Sequence, residues 1–266
     1  MALVGGHRRR ARIGGAALVL TVAAGMGPGE AVGASIAAPP SVTTGDSGRV
    51  PPTFSSDVVR GFESLQRPAR TESKPTKANG KVIHLTFDDG PSARHTRPIL
   101  DLLDRYDAKA TFFQVGENAV DHPGLTRAVI ARGHALGSHT WNHRDLRRLK
   151  GGRLDEQITR TSSTLSRISG RPVTCLRPPY GATNQRVKAA VRHRKLALTL
   201  WDIDPRDWKK PGAGTIAQRV IARARPGAVI LLHDGGGSRS QTVQATRQIL
   251  RTLGEKGYAF RSLPGC

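Results

Sequence analysis

From Lys81 onward the chain alternates short apolar runs with amphipathic stretches of helical period. This alternation constrains the fold more than any other feature. Strands joined by helices run parallel, because each crossover returns the chain to the same end of the sheet. The runs predict strands from residue 81 and at 109–115, 135–138, 172–176, 196–203, 228–232 and 258–263. Between them the pattern predicts helices at 96–106, 123–132, 154–168, 184–194, 215–224 and 241–255, with Gly133 and Gly170 as stops. About seven parallel strands with helical crossovers imply an α/β fold, an irregular (β/α) barrel. In that architecture the chemistry gathers at the C-terminal ends of the strands.

The alternation does not extend to the first 80 residues. Arg8, Arg9, Arg10 and Arg12 precede an apolar run from about Ile13 to Met26, and the small-residue stretch Ala31-Val32-Gly33-Ala34 follows. That layout predicts a secretory signal peptide over 1–34. The competing reading, an uncleaved N-terminal anchor, is disfavoured by the shortness of the run and by Gly27, Pro28 and Glu30. Residues 35–79, rich in Pro, Ser, Thr and Gly, read as a disordered linker. The expected globular domain is 80–266, enough for one core. Beyond the signal segment nothing is long and apolar enough to span a bilayer, so the expected product is exported, secreted or held at the cell envelope.

The domain is basic. Residues from Lys81 on carry 32 Lys+Arg against 15 Asp+Glu, whereas the first 80 carry 10 against 5. The excess implies attraction to a polyanion such as an anionic cell wall. An Arg-rich bias (32 Arg, 10 Lys) accounts for part of it. No nucleic-acid-binding motif is present, and export argues against an intracellular nucleic-acid partner. In an exported chain the two cysteines, Cys175 and Cys266, are expected to pair as a disulfide.

The polar clusters fall at the predicted strand ends. The first strand runs into Asp88-Asp89-Gly90-Pro91. Two adjacent carboxylates at the mouth of a buried strand are costly unless a proton or a metal is shared there. Alone, they also suit a turn with one solvated and one capping Asp. His139 and His143 follow the third strand at a spacing of four, which on a helical turn would aim both the same way. Two His and one Asp leave positions on Zn²⁺ open for water and substrate, a hydrolytic arrangement. The second Asp is then free to act as a base.

Five clusters in order carry a resemblance. Thr86-Phe87-Asp88-Asp89-Gly90, His139-Thr140-Trp141-Asn142-His143, Arg177-Pro178-Pro179-Tyr180-Gly181, Asp204-Pro205-Arg206-Asp207-Trp208 and Leu231-Leu232-His233 resemble the five motifs of the polysaccharide deacetylases of the NodB homology type, carbohydrate esterase family 4. The likeness covers about 81–264. It implies a metal site of Asp89, His139 and His143 holding a divalent ion, Zn²⁺ or alternatively Co²⁺ or another. It implies Asp88 as general base, Arg177 as its partner, and the Tyr180 backbone N–H as oxyanion donor. His233 is implied as general acid, held and kept protonated by Asp207, with Trp208 and Leu231 walling an acetyl pocket. The implied activity is removal of N-acetyl groups from N-acetylglucosamine polymers, peptidoglycan or chitin-like, by a monomer. Acetylxylan O-deacetylation uses the same residues, and an inactive carbohydrate-binding homologue would keep the same fold. His95, close after the first motif, could line the substrate groove but reads better as a loop histidine, and His134 reads as a structural one.

Overall fold

A computed structural model of the chain describes residues 80–266; the expected signal peptide and linker lie outside the described residues. Among the described residues no helix is long and apolar enough to cross a membrane. Strands and helices alternate as the pattern predicts. The strands are β1 (Val82–Gly90), β2 (Thr111–Gln114), β3 (Ala135–Ser138), β4 (Cys175–Leu176), β5 (Ala197–Leu198), β6 (Val229–His233) and β7 (Ala259–Phe260). The helices are α1 (Thr96–Arg105), α2 (Gly116–Asp121), α3 (Pro123–Ala131), α4 (Gly152–Ser169), α5 (Gln185–His193), α6 (Ala213–Ile221) and α7 (Ser240–Glu255).

Every strand pairing is parallel, in the order β5-β4-β3-β2-β1-β6, with β7 paired to the start of β1. The ladder does not close into a complete barrel. The predicted strand 196–203 explains how the ends meet. Its first part, Ala197–Leu198, pairs with β4. The chain then crosses the gap, and Ile203 makes a single parallel bridge to Ile230 of β6. One apolar run thus serves two separated strands and cannot be a continuous strand itself. β4 is short for a local reason: Arg177-Pro178-Pro179 follows it, and two prolines remove the N–H groups that a longer ladder needs.

The core is built from β1 outward. Ile83, Leu85 and Phe87 are fully buried, with Phe112 of β2 and Ile230 and Leu232 of β6 around them. Phe87 and Phe112 stack with ring centres 5.1 Å apart. Helix α1 buries Ile99, Leu100, Leu102 and Leu103, and α7 buries Ile249, Leu250 and Leu253. Each such side chain contributes about 1.5–3 kcal/mol of transfer free energy. Helix α4 ends at Gly170, whose φ of 70° is the left-handed cap that its sequence suggests.

Helix α2 has no counterpart in the sequence reading. Its six residues bury only Gly116 and Ala119, so there is no apolar stripe to read. Gly116 is required there: a Cβ would stand 2.5 Å from the Trp141 ring.

Cys175 and Cys266 are joined as a disulfide across 91 residues of sequence, fastening the C-terminus beside β4. Closing a loop of that length is worth about 4–5 kcal/mol on chain-entropy grounds. Thiol titration of the denatured, unreduced protein should find no free thiol. Cys266→Ser should lower the denaturant midpoint by an amount equivalent to a few kcal/mol; an unchanged midpoint would show that the tie contributes nothing.

Candidate active site

The end of β1 supplies the floor of the site. Successive strand residues face opposite sides of a sheet. Asp89 departs from extended geometry with φ 70°, so its carboxylate and that of Asp88 both reach one cavity. A non-glycine residue in this region costs on the order of 1 kcal/mol or more and persists only where its surroundings enforce it. Here Asn118 of α2 donates to the Asp89 carbonyl at 2.8 Å. The chain after β6 closes on the other side: a Cβ at Gly235 would sit 1.9 Å from that same carbonyl oxygen.

His139 and His143 converge on Asp89, but not from a helical turn. Thr140 and His143 have φ of 69° and 58°, so residues 139–143 form an irregular loop. The imidazoles meet because the loop folds back, not through the i, i+4 geometry of a helical turn. Gln157 of α4 holds it by accepting from the Trp141 and Asn142 N–H groups. The His139 and His143 Nε2 atoms lie 3.4 and 3.1 Å from Asp89 Oδ1. Yet that oxygen is buried with no donor aimed at it. His139 Nδ1–H donates to the Arg177 carbonyl at 2.7 Å, which leaves Nε2 with a free lone pair. Two imidazole nitrogens and an orphaned carboxylate oxygen, all within 4.8 Å of one another, form a donor set that fits a divalent cation.

Asp88 is buried beside this cluster. Arg177 Nη1 donates to its Oδ1 at 2.8 Å, and His139 Nε2 stands 3.7 Å from its Oδ2. Arg177 itself is fully buried. It also donates to Thr86 Oγ1 and the Leu200 carbonyl and lies over the Phe113 ring. Burial pulls its pKa down, and Asp88 opposes that shift.

The opposite wall is a His–Asp pair. His233 Nδ1–H donates to Asp207 Oδ1 at 2.7 Å, while the His233 backbone N–H and Thr242 Oγ1 fill Asp207 Oδ2. Burial alone would lower the His233 pKa. The Asp207 hydrogen bond and charge, with the fields of Asp88 and Asp89, reverse the sign and raise it to about 9.

Asp88, Asp89, His139, His143, Tyr180, Trp208, Leu231 and His233 all face one cavity of about 360 Å³. Arg177 and Asp207 stand behind Asp88 and His233. Tyr180 has φ 61°, and its backbone N–H makes no backbone hydrogen bond among the described residues. Trp208 is 46% exposed at the rim, and Leu231 is buried at the wall.

Several supporting residues escaped the sequence reading. Asp234 is wholly buried under the β1 loop, where Thr96 donates to it. Burial first, then the charges of Asp89 and Asp88, push its pKa up to about 7. A Cβ at Gly90 would meet its carboxylate at 2.3 Å, so Gly90 is obligatory beside it. His95 lies in the turn before α1, as read, but is buried: its Nε2 accepts from the Arg239 N–H, and Nδ1–H then donates to Ser92 Oγ. His134 is structural, as read: Nδ1 accepts the Ala110 N–H, though its Nε2 is buried without a partner. The adjacency of Asp234 to His233 was the one available signal, and nothing in the sequence marks it as buried.

A parallel α/β domain with such a donor set beside a buried base-type carboxylate and a His–Asp pair belongs to the hydrolytic class. The comparisons with known proteins give the family. A polysaccharide deacetylase family model matches residues 76–198. A chitooligosaccharide deacetylase from Rhizobium leguminosarum bv. trifolii is 39% identical over 200 residues, covering 70% of this chain and 92% of that one. A peptidoglycan-N-acetylglucosamine deacetylase from Bacillus cereus is 39% identical over 184 residues, covering 68% and 86%. The solved structure of the peptidoglycan deacetylase PdaC from Bacillus subtilis superimposes with a TM-score of 0.66 at 36% identity, over 70% of this chain and 89% of that one. The chain belongs to the polysaccharide deacetylases of carbohydrate esterase family 4 and is a hydrolase of carbon–nitrogen bonds outside peptides.

The His233 shift carries a prediction. A raised histidine pKa stabilises the fold fully below about 6.5, the unfolded value, and that contribution is lost as pH rises through about 9. Asp207→Asn removes the partner while burial remains, so His233 should titrate well below 9. NMR titration of the ring in both proteins measures this; equal pKa values would rule out Asp207 as the cause.

Proposed function

We propose that this chain is an exported, metal-dependent deacetylase that removes N-acetyl groups from N-acetylglucosamine-containing polymers. The observation that carries the reading is the orphaned Asp89 Oδ1 flanked by the His139 and His143 Nε2 atoms, in the same cavity as Asp88 and His233. The relatives named for peptidoglycan and chitooligosaccharide deacetylation support the substrate class. A divalent cation held by Asp89, His139 and His143, Zn²⁺ or a similar ion, would supply Lewis-acid polarisation and make water acidic near neutral pH.

The chain's own residues divide the proton work. Asp88, aimed by Arg177, takes a proton from the attacking water at Oδ2, the oxygen that Arg177 leaves free. The water oxygen adds to the acetyl carbon, and the Tyr180 N–H stabilises the carbonyl oxygen as it gains charge. His233, held protonated by Asp207, gives a proton to the glucosamine nitrogen as the C–N bond breaks. An amine poorly leaves as an anion, so this donation is needed for an amide. Acetate and a free amino sugar result. Leu231 and Trp208 offer the acetyl methyl an apolar wall beside the catalytic groups.

Acetate release from N-acetylglucosamine oligomers and peptidoglycan, with and without a chelator and re-added Zn²⁺, tests the reading. Release should stop on metal removal and return on addition; no release from any acetylated glycan would refute the proposal. Asp88→Asn should lower kcat by about 10²–10⁴-fold while metal stays bound. His139→Ala should lose metal, seen by metal analysis of the purified protein. The rate should fall on the basic side at or below about pH 9, because a cation on Asp89 offsets part of the field that raises His233.

A further inference from the structure

A second cleft adjoins the catalytic cavity. His143 and Tyr180 are shared walls, and the cleft continues for about 590 Å³ between the loop after β3 and the turn after β4. Its remaining charged walls are Arg144, Arg147, Arg148 and Asp145. Asp145 is already taken: Arg147 grips it through Nε and Nη2, and its backbone N–H caps the same carboxylate. Arg148 reaches it only at 3.7 Å, and Arg144 has no acidic partner among the described residues. Three guanidinium groups therefore surround one neutralised carboxylate, beside the catalytic cavity.

We infer that this cleft is a carboxylate-recognition subsite that selects acidic acetylated glycans, whose neighbouring sugars carry carboxylate substituents, over neutral ones. The inference rests on the deacetylase reading above and specifies its substrate. Arg forks pair bidentately with carboxylates, and these side chains stand exposed, within reach of a ligand. Arg144 and Arg148 are the free partners. Arg147 holds the loop in shape through Asp145, and Arg186 braces it from outside by donating to the Arg147 carbonyl. A neutral chitin-type chain would fill the same volume without engaging them.

The test compares kcat/KM, in the metal-loaded enzyme at low salt, for three substrates. These are a neutral N-acetylglucosamine oligomer, a glycan strand of equal length bearing carboxylates, and that strand with its carboxylates amidated. The acidic strand should be preferred by about 2–5-fold, as expected for exposed ion pairs at low salt. Amidation should abolish the preference, and 0.5 M salt should reduce it. Arg144→Gln with Arg148→Gln should remove the preference while leaving the neutral oligomer within about twofold. Equal rates on all three substrates, or a double variant that loses both activities alike, would overturn the subsite. Absence of acetate release from every substrate would instead refute the underlying deacetylase reading.

Discussion

The buried Arg177–Asp88 pair is the interaction on which the rest of the site depends. Taking a guanidinium and a carboxylate out of water costs several kcal/mol for each ion, and their attraction repays this only with good geometry and nearly complete hydrogen bonding. Arg177 meets that condition by touching almost every strand end. Its side chain reaches Thr86 and Asp88 of β1 and the carbonyl of Leu200 beyond β5. Its backbone N–H donates to Ser138 at the end of β3, and its carbonyl takes the His139 ring. One residue thus sets the position of Asp88, the tautomer of His139 and the spacing of four strands. Its Nε alone is left unpartnered. Pairs of this kind contribute little net stability; what this one provides is position.

Backbone strain is concentrated in the same place. Eight described non-glycine residues have positive φ, and Asp89, Thr140, His143, Tyr180 and Arg206 among them lie in the loops that form the site. Regular secondary structure could not aim these groups. A strand would send Asp88 and Asp89 to opposite faces. The left-handed turns break that periodicity, and Asn118, Gln157 and the close-packed Gly235 hold them against relaxation. The parallel sheet explains why such turns can be spent here. Every strand delivers its C-terminal end to one side, so the loops bear the function while the core below carries the stability.

This division also sets what the sequence could reveal. Strand and helix positions were legible because burial imposes periods of 2 and 3.6 on long segments such as α4 and α7. The chemistry-bearing residues were legible because each follows an apolar run. Less legible was anything decided by tertiary contact. The run 196–203 reads as one strand but serves β4 and β6 in turn, which only the curl of the sheet determines. The histidine pair has helical spacing and irregular geometry. Asp234 and Thr86 carry no local mark of their roles, since a buried acid and a solvated one have the same letter. Their partners, Thr96 and Arg177, are 138 and 91 residues away in the chain.

The charge distribution joins these strands of argument. A domain with 32 basic and 15 acidic residues places several of its acids in and under one small cavity. Arg177 already offsets Asp88, and the cation and protonated His233 of the proposed chemistry would offset the remaining acids at the floor. The arginines along the adjoining cleft are offset only by Asp145. For a polymer carrying both neutral acetamido groups and carboxylates, discrimination would therefore come from the cleft, which would hold the carboxylates while an acetamido group settles in the catalytic cavity. Long-range attraction by the basic surface would raise the encounter rate, and the cleft arginines would set the register.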